Sequence, residues 1–273
     1  MIVTRFAPSP TGLLHLGHAF AAITAYQAGD DFLLRIEDID ASRSRETFIE
    51  AIFLDLKWLG LSWDEPVMRQ SRRLDAYRAA LDQLSQQGVT YPCFCTRADI
   101  AREIARAGDA PHAGDDAQVY PGTCRALSAN VRQARIAAGE AYAIRLDVQK
   151  ALALTGPLTF LEQGQPRDAD PAPGGDVVIA RKDMPTSYHL SVVVDDAAQN
   201  VTLVTRGEDL LAATPVQRLL QALLGLPEPQ YAHHRLVLDR DGRKFSKRDT
   251  TITLKALRDM GKTPADIRAR IAV

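Results

Sequence analysis

Apolar and polar positions along this chain alternate between a two-residue rhythm and a helical one. Val3 to Phe6 reads as a short strand, Ala7-Pro8-Ser9-Pro10-Thr11-Gly12 as a turn-rich loop, and Gly17 to Ala28 as an apolar helix stopped by Gly29-Asp30. Phe32 to Ile36 is a second buried strand, and strand, loop, helix, strand at this spacing predicts a βαβ unit with parallel strands. Two amphipathic helices follow. Ile49, Ile52, Phe53, Leu56 and Leu59 recur at helical spacing in Glu46 to Leu59, and Tyr77, Leu81 and Leu84 do so in Arg73 to Gln87.

From Cys93 to Cys124 the chain turns rich in Ala, Gly, Asp and Arg, with little core material after Phe94. This predicts an excursion from the main domain. Alternation returns at Tyr142 to Leu146 and near Leu158 to Leu161, and Gln163 to Gly175 reads as a Pro/Gly/Asp loop. Val177 to Ile179 and Val201 to Val204 are further strands, with an apolar segment from Tyr188 to Val194 between them. Thr214 with Pro215 marks a helix start, Gly225 a helix end, and Thr263-Pro264 starts a last short helix.

The 273 residues are 46% hydrophobic and 25% charged, an ordinary profile for a soluble protein with a substantial core. A formal net charge of −1 argues against gripping long stretches of nucleic acid and limits any such contact to a local patch. Apolar runs are too short for a membrane span, no secretory leader is visible, and three cysteines make a disulfide framework an unlikely design. A reducing, cytoplasmic setting is the expectation.

Two short signatures carry the chemistry. His15-x-Gly17-His18 follows a strand and a Pro/Gly loop and opens a helix, which sets helix-terminal N–H groups and two imidazoles beside a phosphate-sized space. Gly17 lets a flat ring approach its backbone. Taken alone, the pair reads about equally well as two incidental surface histidines. Lys244-Phe245-Ser246-Lys247-Arg248 follows a charged turn, and Lys247 there suits a triphosphate; alone, it reads as a solvated basic loop. Together, in this order at opposite ends of an α/β domain, they point to one nucleotide site.

With these signatures the chain resembles the class I aminoacyl-tRNA synthetases, and in particular their glutamyl branch. The likeness is carried by Arg5 to Gly12, Arg35-Ile36-Glu37-Asp38-Ile39-Asp40, Trp63-Asp64-Glu65, Gln70-Ser71, Tyr188-His189-Leu190, Val193-Val194-Asp195-Asp196 and Arg206-Gly207-Glu208-Asp209, so it runs from Arg5 to about Arg248. It implies an α/β, Rossmann-like class I synthetase catalytic domain with a parallel sheet, an inserted zinc-type subdomain on the acceptor side and a short helical C-terminal segment. The expected boundaries are 1–92 and 176–248 for the two halves of the catalytic domain, 93–175 for the insert with its zinc-type segment at 93–124, and 249–273 for the last segment. The resemblance implies ATP contacts by Pro8, His15, Gly17, His18, Glu208, Lys244, Ser246 and Lys247, with His15, His18 and Lys247 catalytic and Mg²⁺ accompanying ATP. It implies that Arg5 and Arg206 bind glutamate carboxylates, that Glu37 holds the ammonium, that Tyr188 lines the pocket, and that Phe6, Ala7, Pro8 and Ser9 contribute from the same loop. Arginine suits that task because its planar fork matches a carboxylate; without the resemblance, each arginine reads as half of a surface ion pair. One departure stands out: four residues after Tyr188 comes Val192, where tRNA-charging glutamyl enzymes commonly carry Asn. This predicts weaker polar contact with glutamate.

All three cysteines, Cys93, Cys95 and Cys124, fall in the segment without a core. Three thiolates and one more ligand make a tetrahedral structural zinc site. Residue chemistry nominates His112 as the fourth ligand; the resemblance nominates Tyr120, because Cys-x-Cys followed by Tyr-x-x-x-Cys is similar to the glutamyl-queuosine tRNA(Asp) synthetases. Reduced, buried cysteines without metal are the plainer alternative. Only Asp249 to Val273 follow the lysine signature, room for about two short helices. The resemblance therefore implies a free-standing catalytic core that activates glutamate with ATP and transfers it to queuosine in tRNA(Asp), as a monomer away from membranes. A tRNA-charging glutamyl enzyme, a non-catalytic tRNA-binding paralogue and a general nucleotidylyltransferase are the competing expectations.

Overall fold

The computed structural model describes residues 1–100, 119–237 and 253–272. The predicted βαβ unit is present. Strand β1 (Val3–Phe6) leads into helix α1 (Leu16–Ala28) and returns as β2 (Asp31–Ile36), which pairs with β1 in parallel, Val3 opposite Asp31 and Phe6 opposite Leu34. A two-residue strand β3 (Met68–Arg69) adds to β2 in parallel. Helices α2 (Glu46–Trp58) and α3 (Leu74–Gln86) lie within one residue of the predicted bounds. Burial of Ile49, Ile52 and Leu56 on the inner stripe of α2 contributes roughly 1.5–3 kcal/mol each.

A second sheet runs in the order β7-β6-β10-β9, made of β6 (Thr159–Glu162), β7 (Gln165–Asp168), β9 (Leu203–Gly207) and β10 (Gln230–His234). Strand β10 is parallel to both β9 and β6. The two sheets meet edge to edge, where the Thr202 N–H donates to Val3 O at 3.0 Å and the Val3 N–H to Thr202 Oγ1 at 2.9 Å. With Arg5 Nη1 donating to Thr205 O further along, β1 and β9 advance in the same direction. The chain thus builds outward from β1 one way and from β9 the other, and a doubly wound sheet opens its ligand crevice at such a switch point, beyond the carboxyl ends of the strands.

A separate antiparallel sheet joins β4 (Thr90–Cys93), β5 (Ala143–Leu146) and β8 (Val178–Ala180), so the cysteine-bearing segment leaves from one of its strands. Strand β6 falls within 93–175 yet pairs with β10 of the main platform. Helices α4 (Ala129–Ala137), α5 (Val148–Thr155), α6 (Tyr188–Ala198) and α7 (Thr214–Leu224) complete the middle of the chain. Helix α8 (Leu254–Asp259) and the capped helix α9 (Pro264–Ile271) bury Leu254, Leu257, Ile267 and Ile271 in the same core as α1 and α2.

Two local expectations change, and one apolar segment left without an assigned element proves to be a helix. Gln163 to Gly175 is not all loop: Gln163 and Gly164, both at positive φ, form a tight turn that folds β7 back on β6. Pro166 is tolerated because β7 lies at the sheet edge. The apolar segment from Tyr188 forms helix α6, buried mainly through Leu190, Val192 and Val193. Thr214 does not cap α7. It is already helical, preceded by a 3₁₀ segment over Glu208–Ala213, and its hydroxyl serves Arg206 instead. Gly225 does end that helix, in the left-handed conformation.

Candidate active site

The histidine signature forms the start of α1. His15 is its N-cap residue: His15 Nδ1 accepts from the Gly17 N–H at 3.1 Å, and His18 Nδ1 accepts from the His15 N–H at 3.2 Å. Both Nδ1 atoms act as acceptors, so each neutral imidazole carries its proton on Nε2. The rings lie 3.8 Å apart between centroids. A Cβ at Gly17 would come within 3.1 Å of His15 Cε1, so the space that Gly17 leaves open is used by the His15 ring. Behind the helix start, His15 forms an isolated antiparallel bridge with Thr253, and Leu254 N–H donates to Leu14 O at 2.8 Å. The chain therefore re-enters at the histidine signature after the segment holding Lys244, Ser246 and Lys247; those three residues lie outside the described residues, as does His112.

Beyond the ends of β1 and β9 lies a cavity of about 350 Å³, which brings together Arg5, Phe6, Ala7, Ser9, Glu37, Tyr188 and Arg206. Val192, Thr205, Gly207 and Leu210 also line it. Pro8 is buried behind the wall, where its carbonyl accepts from the Glu37 N–H at 3.1 Å. Glu208 is exposed and is not among the lining residues.

The two pocket arginines are held differently. Arg5 makes the ion pair that the plainer reading of a lone arginine predicts: Nε and Nη2 meet the two oxygens of Asp196 at 3.0 and 3.3 Å. The same carboxylate receives Arg35 Nη1 at 2.8 Å, and Arg35 is itself fully buried. Burial opposes charge on Asp196, but the guanidinium groups of Arg5 and Arg35 outweigh it and hold its carboxyl below the usual range. Glu37, 3.7 Å from Arg35, goes the other way: burial prevails over both arginines and pushes it up to about 6. It is still a carboxylate at neutral pH.

Arg206 has no carboxylate within ion-pairing distance among the described residues. Its guanidinium donates to Tyr188 Oη at 3.3 Å, Gln217 Oε1 at 2.6 Å, Thr214 Oγ1 at 2.8 Å and His233 Nε2 at 3.0 Å, all neutral acceptors. His233 is in turn held by Glu162, whose two oxygens accept from the His233 N–H at 2.8 Å and contact Nδ1 at 2.6 Å. Burial and the nearby Arg206 push the imidazole below its ordinary pKa despite Glu162. His233 is thus neutral, with its proton on Nδ1 and its Nε2 lone pair on Arg206. The result is a buried cation, rigidly held and facing a cavity, with no opposing carboxylate in contact. A ligand anion satisfies it.

Tyr188 is therefore a pocket residue by its phenol as well as by its ring. Asp196, Gln217, His233 and Glu162 are supporting residues that the sequence did not single out for a role, and Thr214, read there as a helix start, joins them; Asp195 stands one step further back, on Arg73, Gln70 and Tyr77. Asp195 and Asp196 stood in a recognised motif; the 71-residue separation of Glu162 and His233 leaves no local pattern to find.

The cysteine sulfurs also converge. Ligand atoms of Cys93, Cys95 and Cys124 all lie within 4.8 Å of one another. Cys95 Sγ is 3.4 Å from Cys124 Sγ and 3.7 Å from Tyr120 Oη. Tetrahedral Zn–S bonds of about 2.3 Å set neighbouring ligand atoms roughly 3.5–3.8 Å apart, close to the Cys95–Cys124 and Cys95–Tyr120 separations. Burial pushes the Cys95 thiol up to about 11, which a bound cation would offset. The Arg145 guanidinium lies 3.8 Å over the Tyr120 ring and fixes it in the cluster.

A doubly wound sheet with paired histidines at the first helix and an amino-acid-sized cavity at the switch point defines a class I synthetase catalytic domain. The family model described as tRNA synthetases class I (E and Q), catalytic domain, matches residues 1–272, and the chain belongs to that family. Within it, the chain is 48% identical over 288 residues to Glutamyl-Q tRNA(Asp) synthetase of Rhodobacter capsulatus, covering 100% of both chains. It is 44% identical over 269 residues to the Nocardia farcinica protein of the same name, covering 97% of this chain and 82% of that one. Among solved structures, glutamate-tRNA synthetase from Elizabethkingia anophelis superposes with a TM-score of 0.74 at 29% identity; the match covers 91% of this chain and 53% of that one.

Proposed function

We propose that the protein activates L-glutamate with ATP, without needing tRNA, and transfers it to the queuosine base at the wobble position of tRNA(Asp). The observation that carries the glutamate assignment is Arg206, a buried cation without a carboxylate partner among the described residues, lining one cavity with the carboxylate of Glu37. An amino acid with a side-chain carboxylate matches both groups. Arg206, with Arg5 beside it, takes carboxylate; Glu37 takes the ammonium; Tyr188, Phe6, Ala7 and Ser9 close the walls. The α-carboxylate attacks the α-phosphorus of ATP, giving glutamyl-adenylate and pyrophosphate. His15 and His18, from Nε2, and Lys247 stabilise the phosphate charge, with Mg²⁺ as the nucleotide's counter-ion. Pro8, Gly17, Glu208, Lys244 and Ser246 complete the expected ATP contacts.

Cys93, Cys95, Cys124 and Tyr120 hold one zinc ion of structural type, supported by the ligand spacing above. Three free thiols suit a reducing compartment, and we place the protein in the cytoplasm as a monomer. Among the described residues, no helix is long and apolar enough to cross a membrane.

The preference for queuosine over the 3′ end of a tRNA rests on the full-length match to the two Glutamyl-Q tRNA(Asp) synthetases. The test is transfer of labelled glutamate to tRNA(Asp) with and without queuosine. Label confined to queuosine-containing tRNA supports the assignment. Label on the 3′ adenosine of tRNA(Glu) supports the tRNA-charging alternative, which the likeness to glutamate-tRNA synthetase favours.

A further inference from the structure

Beside the glutamate cavity lies a smaller recess of about 140 Å³, and Ser9, Glu37 and Tyr188 line both. Asp40, Arg181, Ser187 and Ser191 are among its other walls, with Ile39 and Met184. None of the residues Asp40, Arg181, Ser187 and Ser191 is among those lining the glutamate cavity.

Ser187 is out of keeping with its position. It is the N-cap residue of α6, where a serine hydroxyl ordinarily accepts from a backbone N–H of the first turn, yet it makes no cap bond. Its Oγ is buried without a hydrogen-bond partner among the described residues. Buried hydroxyls are nearly always paired, so this one is an unfilled position at the edge of a cavity. Across the recess, Asp40 is kept ionised by Ser42 Oγ at 2.6 Å and Arg43 Nε at 2.7 Å, with Arg181 at 3.8 Å on the other side. A carboxylate held in this way, its charge offset by two guanidinium groups, keeps a lone pair for a hydrogen bond from a ligand hydroxyl.

The position of the recess suits the second half-reaction. On the reading given above, Glu37 holds the substrate ammonium, so the activated carbonyl, attached to the same α-carbon, lies near the wall common to both cavities. The side-chain carboxylate is directed to Arg206 and the phosphate to the start of α1. The recess shares Ser9, Glu37 and Tyr188 with the glutamate cavity, and neither Arg206 nor His15 nor His18 is among its lining residues. The acceptor group of queuosine is a cyclopentene ring with two neighbouring hydroxyls, joined to the base through a secondary amine that is protonated at neutral pH. We infer that the recess walled by Asp40, Ser187 and Ser191 is the acceptor subsite and takes this diol-bearing ring, with one hydroxyl on Ser187 and the second on Asp40. In the transfer, the ring oxygen bonds to the glutamyl carbonyl carbon and the carbonyl–oxygen bond to phosphate breaks. Its electron pair leaves on AMP, which also takes up the hydroxyl proton.

This assignment rests on the proposed function, and two readouts separate their failures. Glutamate-dependent ATP–pyrophosphate exchange reports activation; single-turnover transfer of labelled glutamate from the enzyme-bound adenylate to queuosine-containing tRNA(Asp) reports the acceptor step. The variants are Asp40→Asn and Ser187→Val, the second filling the recess without removing a cap bond. In each, exchange is expected to stay at the wild-type level while transfer falls roughly tenfold or more, as for loss of charge-assisted and buried hydrogen bonds. Equal losses in both readouts would assign the recess to glutamate activation, and wild-type transfer in Ser187→Val would exclude the ring from it; either overturns the inference. Wild-type protein that exchanges but labels no queuosine would overturn the proposed function itself. If Asp40→Asn fails to fold, Ser187→Val decides alone.

Discussion

Replacing Glu162 by Gln should weaken glutamate binding although Glu162 does not line the glutamate cavity. Glu162 accepts two hydrogen bonds from His233, one from the backbone N–H and one from Nδ1. A glutamine amide offers one acceptor and one donor, so whichever way it turns, its NH₂ group meets an N–H. If the imidazole changes tautomer to relieve the clash at Nδ1, the proton moves to Nε2, which then faces Arg206 Nε at 3.0 Å, donor against donor. The conflict is passed along the buried row to the guanidinium, which loses one of its four anchors. A hydrogen bond to a charged group contributes about 1.5–3 kcal/mol. At 1.36 kcal/mol per decade, this corresponds to a rise of roughly 10- to 150-fold in the glutamate KM. The assay is ATP–pyrophosphate exchange over a glutamate titration at saturating ATP, with the ATP KM and the thermal midpoint measured in parallel. A folded Glu162→Gln protein whose glutamate KM is unchanged, or whose ATP KM rises as much, would refute the role given to the Glu162–His233 pair.

Three further outcomes are expected. Glu37 is an effective partner for an ammonium only above its pKa of about 6, so the glutamate KM should rise as pH falls through 6, and Glu37→Gln should raise KM at neutral pH and flatten that limb; a KM independent of pH between 5 and 7 would contradict this. Val192 lines the cavity, and Val192→Asn should lower the glutamate KM several-fold, in line with about 1 kcal/mol for one added neutral hydrogen bond, as measured by the same exchange titration. Elemental analysis should find about one zinc per chain in the purified protein, retained in His112→Ala and lost or markedly weakened in Tyr120→Phe and Cys124→Ser; the reverse pattern would make His112 the fourth ligand.

Much of the architecture was legible because it is periodic. The stripes in Glu46 to Leu59 and Arg73 to Gln87 gave helices within a residue of those observed, and the first βαβ unit follows from apolar runs separated by a Pro/Gly loop. Strand β7 was hidden because all four of its residues are exposed, so it has no apolar alternation, and β3 is only two residues long. Thr214 followed by Pro215 carries a sound capping signal, but its hydroxyl is taken by the Arg206 guanidinium, whose burial becomes apparent only once the chain is folded.

By itself the sequence determined the family, the histidine signature and the residue types of the pocket, since those are local strings of side chains whose chemistry is carried within a few positions. Only the tertiary structure decided what each charge does. Arg5 and Arg206 are the same residue in sequence and both line the cavity, yet one is already paired with Asp196 while the other is held by neutral groups alone. The difference arises because burial removes the water that would otherwise screen every charge, so the partner that the fold brings within about 3 Å sets how much of a side chain's charge is left for a ligand.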